Sequence, residues 1–205
     1  MWNERYSAPE YAYGTKPNDF LVSVASKIPP GRVLCLAEGE GRNAVYLASL
    51  GYEVVAVDQS SVGLAKAEQL AAQQNVKIQT ITANLADFVV EPKSWQGIVS
   101  IFCHLPSALR CQVHKAAVAG LEPVGVFILE AYTPRQLQFK TGGPTNVDML
   151  VSLNAVRAEL ADLDLEMVQE VERNVVEGDY HTGMAAVVQV VGRARFPYTV
   201  DSTTV

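Results

Sequence analysis

The stretch Arg32-Val33-Leu34-Cys35-Leu36-Ala37-Glu38-Gly39-Glu40-Gly41-Arg42-Asn43-Ala44 decides the fold. Its apolar run, led in by Pro29-Pro30-Gly31, reads as a buried strand of a parallel sheet. The run breaks at Glu38, where two glycines let the backbone turn sharply and let a ligand approach the main chain. Val45, Leu47, Ala48 and Leu50 then predict a helix over residues 43–50, stopped at Gly51. A second apolar run, Val54-Val55-Ala56-Val57, ends in Asp58. Strand, glycine turn, helix and strand make half of a nucleotide-binding βαβ unit, with an acid placed to hold ribose hydroxyls.

The turn also fits the loose dinucleotide pattern G-x-G-x-x-G/A, so an NAD-dependent oxidoreductase is one reading. That pattern binds a pyrophosphate at a helix N-terminus, where backbone N–H groups favour negative charge. Here the turn carries Glu38 and Glu40, whose carboxylates would repel a pyrophosphate. A nucleoside with a positive centre and no phosphate suits the turn better, and S-adenosylmethionine is such a ligand.

Val33 to Asp58 resembles the first motif and acidic loop of class I S-adenosylmethionine-dependent methyltransferases. More narrowly, Glu38 to Ala48 resembles the "GCGEGRNxxYLA" signature of their tellurite-resistance and thiopurine-methyltransferase-like branch. The chain departs from that pattern where Cys35 replaces an acid, Ala37 a glycine and Glu38 a small residue. The Glu38 carboxylate either binds the ligand's ammonium group or crowds it. The resemblance implies a Rossmann-like α/β sheet of seven strands in the order 3-2-1-4-5-7-6, helices on both faces, and a C-terminal antiparallel hairpin. It also implies cofactor contacts from Glu38, Gly39, Glu40, Gly41, Arg42, Asn43, Asp58 and Gln59.

Composition sets bounds. The chain has 205 residues, 49% of them hydrophobic, with three cysteines and a net charge of −6. That length suits one domain, expected over residues 1–195 with a tail at 196–205. The acidic balance argues against nucleic-acid binding, which needs a basic face. No apolar run reaches membrane-spanning length, and the N-terminus lacks the pattern of a signal peptide. An odd number of cysteines, two of them in predicted strands, points to a reducing cytoplasm.

Residues 1–31 read as a polar, aromatic lead-in, with Trp2, Tyr6, Tyr11 and Tyr13 clustered and a short helix over 19–27. These aromatics either pin the arm to the sheet or form a lid. The segment resembles the N-terminal cap of the same methyltransferases, and aromatic faces attract a sulfonium cation. After Asp58, Ser60 or Ser61 caps a helix, and residues 76–81 alternate as a strand. By resemblance, Asn84 and Leu85 then hold the places where the family binds adenine, with an Asx turn as the alternative reading of Asn84.

Ile98 to Cys103 reads as a strand whose carboxyl end brings Cys103 to the cofactor and His104 to the pocket, since ligands in such sheets sit outside the strand C-termini. His104 is a candidate general base or substrate contact. Cys103, His104, Cys111 and His114 are all metal-ligand types, but their spacing fits no zinc knuckle, and no metal is expected. The polar loop after Pro134 contains Lys140, and a loop of that length is usually functional. Two long strands joined by Gly178-Asp179-Tyr180-His181-Thr182-Gly183 close the chain. By resemblance, Tyr180 and His181 face substrate.

These readings converge on methyl transfer to a small molecule with a soft nucleophile: a thiol, a thiopurine-like heterocycle or a chalcogen oxyanion. Such a nucleophile already carries charge, so no strong base is required. Tyr13, His104 and His181 are the candidates for orienting it, with Tyr13, His104, Lys140, Tyr180 and His181 as the expected substrate contacts. The alternatives are a cofactor-binding protein without catalytic activity, and the oxidoreductase.

Overall fold

In a computed structural model, which describes residues 2–178 and 180–196, the βαβ unit forms where the glycine turn places it. Strand β1 (Arg32–Leu36) enters the turn, α3 (Arg42–Ser49) leaves it, and β2 (Glu53–Asp58) pairs with β1 in parallel. Ahead of them lie α1 (Trp2–Arg5) and α2 (Asp19–Val24). Helix α4 (Ser61–Gln73) starts at Ser60, whose hydroxyl accepts from the Gly63 N–H and supplies a partner to an otherwise unpaired helical donor.

The chain continues through β3 (Gln79–Thr82), β4 (Trp95–Ile101), α5 (Ser107–Gly120), β5 (Leu121–Tyr132) and α6 (Leu153–Glu159). It closes with β6 (Leu163–Glu177) and β7 (His181–Ala194). The sheet order is β3-β2-β1-β4-β5-β7-β6, with the first five strands parallel and the last two antiparallel. This is the expected class I methyltransferase sheet.

Side chains alternate across the strands, so each face of the sheet gathers its own core. Leu34, Leu36, Val55, Val57, Ile98 and Phe127 meet Val113 and Ala117 of α5 and Val156 of α6. Val33, Cys35, Val54, Ala56, Val99 and Ile128 meet α2, α3 and α4 on the other side. Burial on both faces is why these strands read as continuous apolar runs.

Two expectations change. Residues 1–31 are more than a polar lead-in, because Phe20, Leu21, Val24, Ala25 and Ile28 are buried in the second core. The strand expected over 76–81 is limited to Gln79–Thr82. The Val76 N–H donates to the Ala71 carbonyl and finishes α4, so that segment is already committed to the helix end. The expected tail at 196–205 falls, beyond Phe196, outside the described residues.

Candidate functional site

The parallel strands end at one edge of the sheet, and there a cavity of about 290 Å³ opens. Glu38, Glu40, Arg42, Asn43, Asp58 and Gln59 line one end of it. Asn84, Leu85, Cys103, His104, Tyr13 and His181 also line it. Expected residues from six separate segments are thus brought together.

The turn is held by its own acids. Asp58 Oδ2 accepts from the Gly39 N–H (2.9 Å) and Oδ1 from the Ser60 N–H (2.8 Å). A carboxylate has about four lone-pair sites, so both oxygens keep capacity for a ribose. Burial raises its pKa against the pull of these N–H groups. Gly39 and Gly41 do not line the cavity; they let other groups close in. A Cβ on Gly41 (φ 91°) would lie 2.5 Å from Ala67 Cβ, and one on Gly39 would lie 2.7 Å from Tyr6 Oη. Ala37, where the family has glycine, takes the same left-handed region at φ 50°.

Glu38 neither points freely at a ligand nor crowds the turn. Its Oε1 accepts from the N–H groups of Asn43 (2.9 Å) and Ala44 (2.8 Å) at the start of α3. The place where a dinucleotide would seat its pyrophosphate is therefore filled by the chain's own carboxylate. Burial raises the Glu38 pKa to about 7, opposed by those two N–H groups and by Arg42. Cys35, in β1 beside it, is buried, and its thiol is pushed up by burial and by Glu38.

Glu40 is buried, with Lys66 Nζ 2.5 Å from Oε1 and no partner at Oε2. Lys66 was not foreseen. Its ammonium also donates to the carbonyls of Ala8 (2.9 Å) and Glu10 (2.6 Å), and Tyr11 Oη donates to the Lys66 carbonyl. One lysine so fastens the N-terminal segment onto α4, while Trp2, Tyr6, Tyr13 and Gly14 line the cavity. The aromatic arm is both pinned and part of the enclosure. Tyr11 belongs only to the pinning.

A second support lies behind Arg42. Its Nη2 donates to Glu177 Oε2 (2.6 Å), and Asn18 Nδ2 donates to Glu177 (2.8 Å) and Glu130 (2.6 Å). Glu130 is fully buried and also accepts from Arg173 (2.6 Å) and Gln189 (2.7 Å). Glu177 should be raised by burial, but His181, Arg42 and Asn18 hold it down at about 2. The network ties α2's start, α3, β5 and the terminal hairpin into one frame. Its members are ordinary polar residues in the sequence, and no local spacing marks them.

At the far end, β4 gives way to Phe102 at φ 52°, a strained conformation for a bulky residue at a pocket. His104 follows, stacked on Tyr132 at 5.5 Å, and neither of its ring nitrogens has a partner. Burial, with His181 nearby, lowers its pKa to about 3. The His181 ring lies 4.6 Å from that of Tyr13, with Nδ1 3.8 Å from Glu177, beyond hydrogen-bond range. Burial lowers its pKa too, against Glu177. Burial raises the Cys103 thiol to about 12.

Some expected contacts are elsewhere. Asn84 Oδ1 accepts from the Ala86 N–H (3.0 Å) in an Asx turn, although the residue lines the cavity. Tyr180 is half exposed, beneath the guanidinium of Arg5 at 4.0 Å, and is absent from the cavity wall. Lys140 is exposed and also absent from it. Gln136 Nε2 donates to Thr141 and Gly142, and Thr141 Oγ1 to the Met184 carbonyl, so this loop docks along β7 with Lys140 outward. His114 pairs with Glu159 at 2.7 Å behind the sheet, and Cys111 is exposed, so these two do not join Cys103 and His104. Ile101, Phe102, Leu105, Pro106, Leu109 and Met149 were not foreseen as cavity residues; only their position after β4, or across from it, could have suggested them.

The donor set suits S-adenosylmethionine: an acid with spare lone pairs, a buried carboxylate oxygen without a hydrogen-bond partner, and aromatic rings lining the same cavity. A methyltransferase-domain family model matches residues 33–125. A probable S-adenosyl-L-methionine-dependent methyltransferase, TehB of Haemophilus influenzae, is 37% identical over 60 residues, which are 29% of this chain and 21% of that protein. The match thus spans about a fifth of the curated relative. Among solved structures, TehB from Haemophilus influenzae superposes with a TM-score of 0.71 at 19% identity, over 95% of this chain and 66% of that one. A protein studied for conversion of a disulfide bond into a thioacetal group during echinomycin biosynthesis gives 0.76 at 16% identity, over 96% and 89%. N-methyltransferase NodS from Bradyrhizobium japonicum gives 0.67 at 11%, over 94% and 96%. Residues 33–125 thus match a methyltransferase domain, and the chain has the class I methyltransferase fold and is similar to TehB, a likeness that implies S-adenosylmethionine as cofactor.

Proposed function

We propose that the protein methylates a small molecule through a soft nucleophile: a thiol, a thiopurine-like heterocycle or a chalcogen oxyanion. The observation that carries this reading is a single cavity lined both by carboxylates suited to a cationic nucleoside and by His104, His181 and Tyr13. When bound, S-adenosylmethionine supplies an electrophilic methyl group on a positive sulfur. Asp58 would hold the ribose, Leu85 and Asn84 the adenine, and Glu40 Oε2 the ammonium group. Trp2, Tyr6 and Tyr13 would keep water away.

Methyl transfer chiefly needs the two partners aligned at near-attack distance in a dry pocket. An assembled cavity without an obvious acid–base pair is consistent with that demand. The three cysteines are free, which agrees with a reducing, cytoplasmic setting.

Calorimetric titration with S-adenosylhomocysteine, S-adenosylmethionine and NADH tests the cofactor reading. Binding of both sulfur ligands is expected, weakened about a hundredfold in Asp58→Ala through loss of a charged hydrogen-bond acceptor. Binding of NADH alone would overturn the reading.

A further inference from the structure

Glu38 differs from the other carboxylates of the cavity. Asp58 spreads its bonds over both oxygens, and Glu40 has the Lys66 ammonium 2.5 Å away. Glu38 receives the N–H groups of Asn43 (2.9 Å) and Ala44 (2.8 Å) at the same oxygen, Oε1, and among the described residues it has no ion-pair partner. Arg42 is the only arginine or lysine among the described residues that line the cavity, and its guanidinium goes to Glu177 and the Lys16 carbonyl. Three carboxylates thus share the cavity wall with one committed cation. A ligand with an extra positive charge gains from such a wall, and a neutral ligand of the same shape does not.

The cofactor and its product differ by that one charge. S-adenosylmethionine carries a sulfonium. When its methyl group leaves, the sulfur keeps the bonding electron pair, and S-adenosylhomocysteine is left with a neutral thioether. We propose that Glu38 is a specificity-determining residue, whose charge makes the protein hold S-adenosylmethionine more tightly than S-adenosylhomocysteine. This rests on the cofactor reading of the cavity. Glu38 acts through its field, because the oxygen that bonds is already taken by α3. After transfer, the wall that drew the cofactor in no longer favours what is left, and product gives way to fresh cofactor.

The preference is conditional on pH. The groups that face Glu38 are the Cys35 thiol of β1, Arg42 of α3, Asp58 at the end of β2 and Tyr6 of the N-terminal arm. Burial raises Glu38 to about 7, opposed by the two N–H groups and Arg42, with Asp58 adding to the rise. A sulfonium in the cavity favours the ionised carboxylate, so binding of the cofactor near neutrality expels a proton to solvent. By linkage, affinity for the cofactor rises as pH rises through 7 and the preference fades below it. Other groups at the cavity titrate outside that window: burial lowers His104 and His181 from 6.5, and it pushes up the Cys35 thiol and the Tyr6 hydroxyl.

Calorimetric titration of the full chain with each of the two ligands, from about pH 5 to about pH 8, tests the proposal. Two buffers of unlike ionisation heat report the protons released. The preference of the wild-type protein for S-adenosylmethionine over S-adenosylhomocysteine should grow about tenfold across this range. Near pH 7 the first ligand should release about half a proton more than the second. Glu38→Gln keeps an oxygen for the two N–H groups and removes the charge. Its preference should stay at the wild-type acid value throughout, apart from the titration of the ligands' own amino groups, which both proteins share. A wild-type preference that Glu38→Gln follows at every pH would overturn the proposal, as would proton release that persists in that variant. Should Glu38→Gln not fold, equal proton release by the two ligands in the wild type would overturn it, and the expected excess would support it. Wild-type protein that binds neither ligand at any pH would overturn the cofactor reading itself, and this inference with it.

Discussion

The cavity has two supports made in opposite ways. The glycine turn is local: Glu38 caps a helix that begins four residues later, and Asp58 braces a glycine nineteen residues away. The frame behind Arg42 is assembled across the chain, where Asn18 reaches Glu177 over 159 residues and Glu130 over 112. The turn stands on short hydrogen bonds to backbone N–H groups. The frame stands on buried ion pairs whose removal exposes charge to a low-dielectric interior. The two should therefore fail differently.

The largest difference should come from the ion pairs. Glu130→Ala leaves the Arg173 guanidinium without its buried partner, and breaking such a pair costs about 3–5 kcal/mol. Urea denaturation should show that loss, whereas Asp58→Ala should weaken cofactor binding far more than it lowers stability. Equal destabilisation by the two would erase the distinction drawn here.

Lys66→Met comes next. It removes the ammonium that holds the carbonyls of Ala8 and Glu10 and faces Glu40. Each buried acceptor left unsatisfied costs about 1–3 kcal/mol. Limited proteolysis should then cut within residues 7–12 before the sheet unfolds. An arm that stays protected would mean that Tyr6 and α1 suffice to hold it.

The two supports should also answer pH in opposite senses. Glu177 is held at about 2, below its ordinary 4.5. Its contribution is present above 4.5 and is lost as pH falls toward 2. Glu38 is raised from 4.5 to about 7. The folded protein then binds the extra proton, so this contribution is full below 4.5 and is lost as pH rises through 7. Stability measured against pH should flatten between 4.5 and 7 in Glu38→Gln and keep its acid limb. An unchanged slope in that window would show that Glu38 is ionised with no penalty.

The smallest effect belongs to Ala37, at φ 50°. A left-handed conformation costs an alanine about 1–2 kcal/mol, part of which glycine returns as unfolded-state entropy. Ala37→Gly should stabilise by about 1 kcal/mol and leave the cavity intact. Calorimetric melting would detect it, and no gain would place the strain elsewhere in the turn.

The sequence by itself determined the βαβ unit, the strand order through the family resemblance, and the acid at Asp58. Alternation, glycine spacing and a terminal carboxylate are properties of contiguous residues, and the turn reads the same in isolation as in the fold. Glu38 shows the limit. Its place in the motif was legible, but whether it meets a ligand or caps α3 depends on where a side chain rotates.

Lys140 and Tyr180 looked like substrate contacts because their segments approach the site. Only packing decides that Thr141 docks on β7 and turns Lys140 outward, and that Tyr180 goes under Arg5 while its neighbour His181 enters the cavity. The tertiary structure alone decided the Lys66 pin, the Glu130–Arg173–Glu177–Arg42 frame and the unpaired nitrogens of His104. Each of these depends on a partner distant in sequence, or on the lack of one, and burial is what makes either consequential.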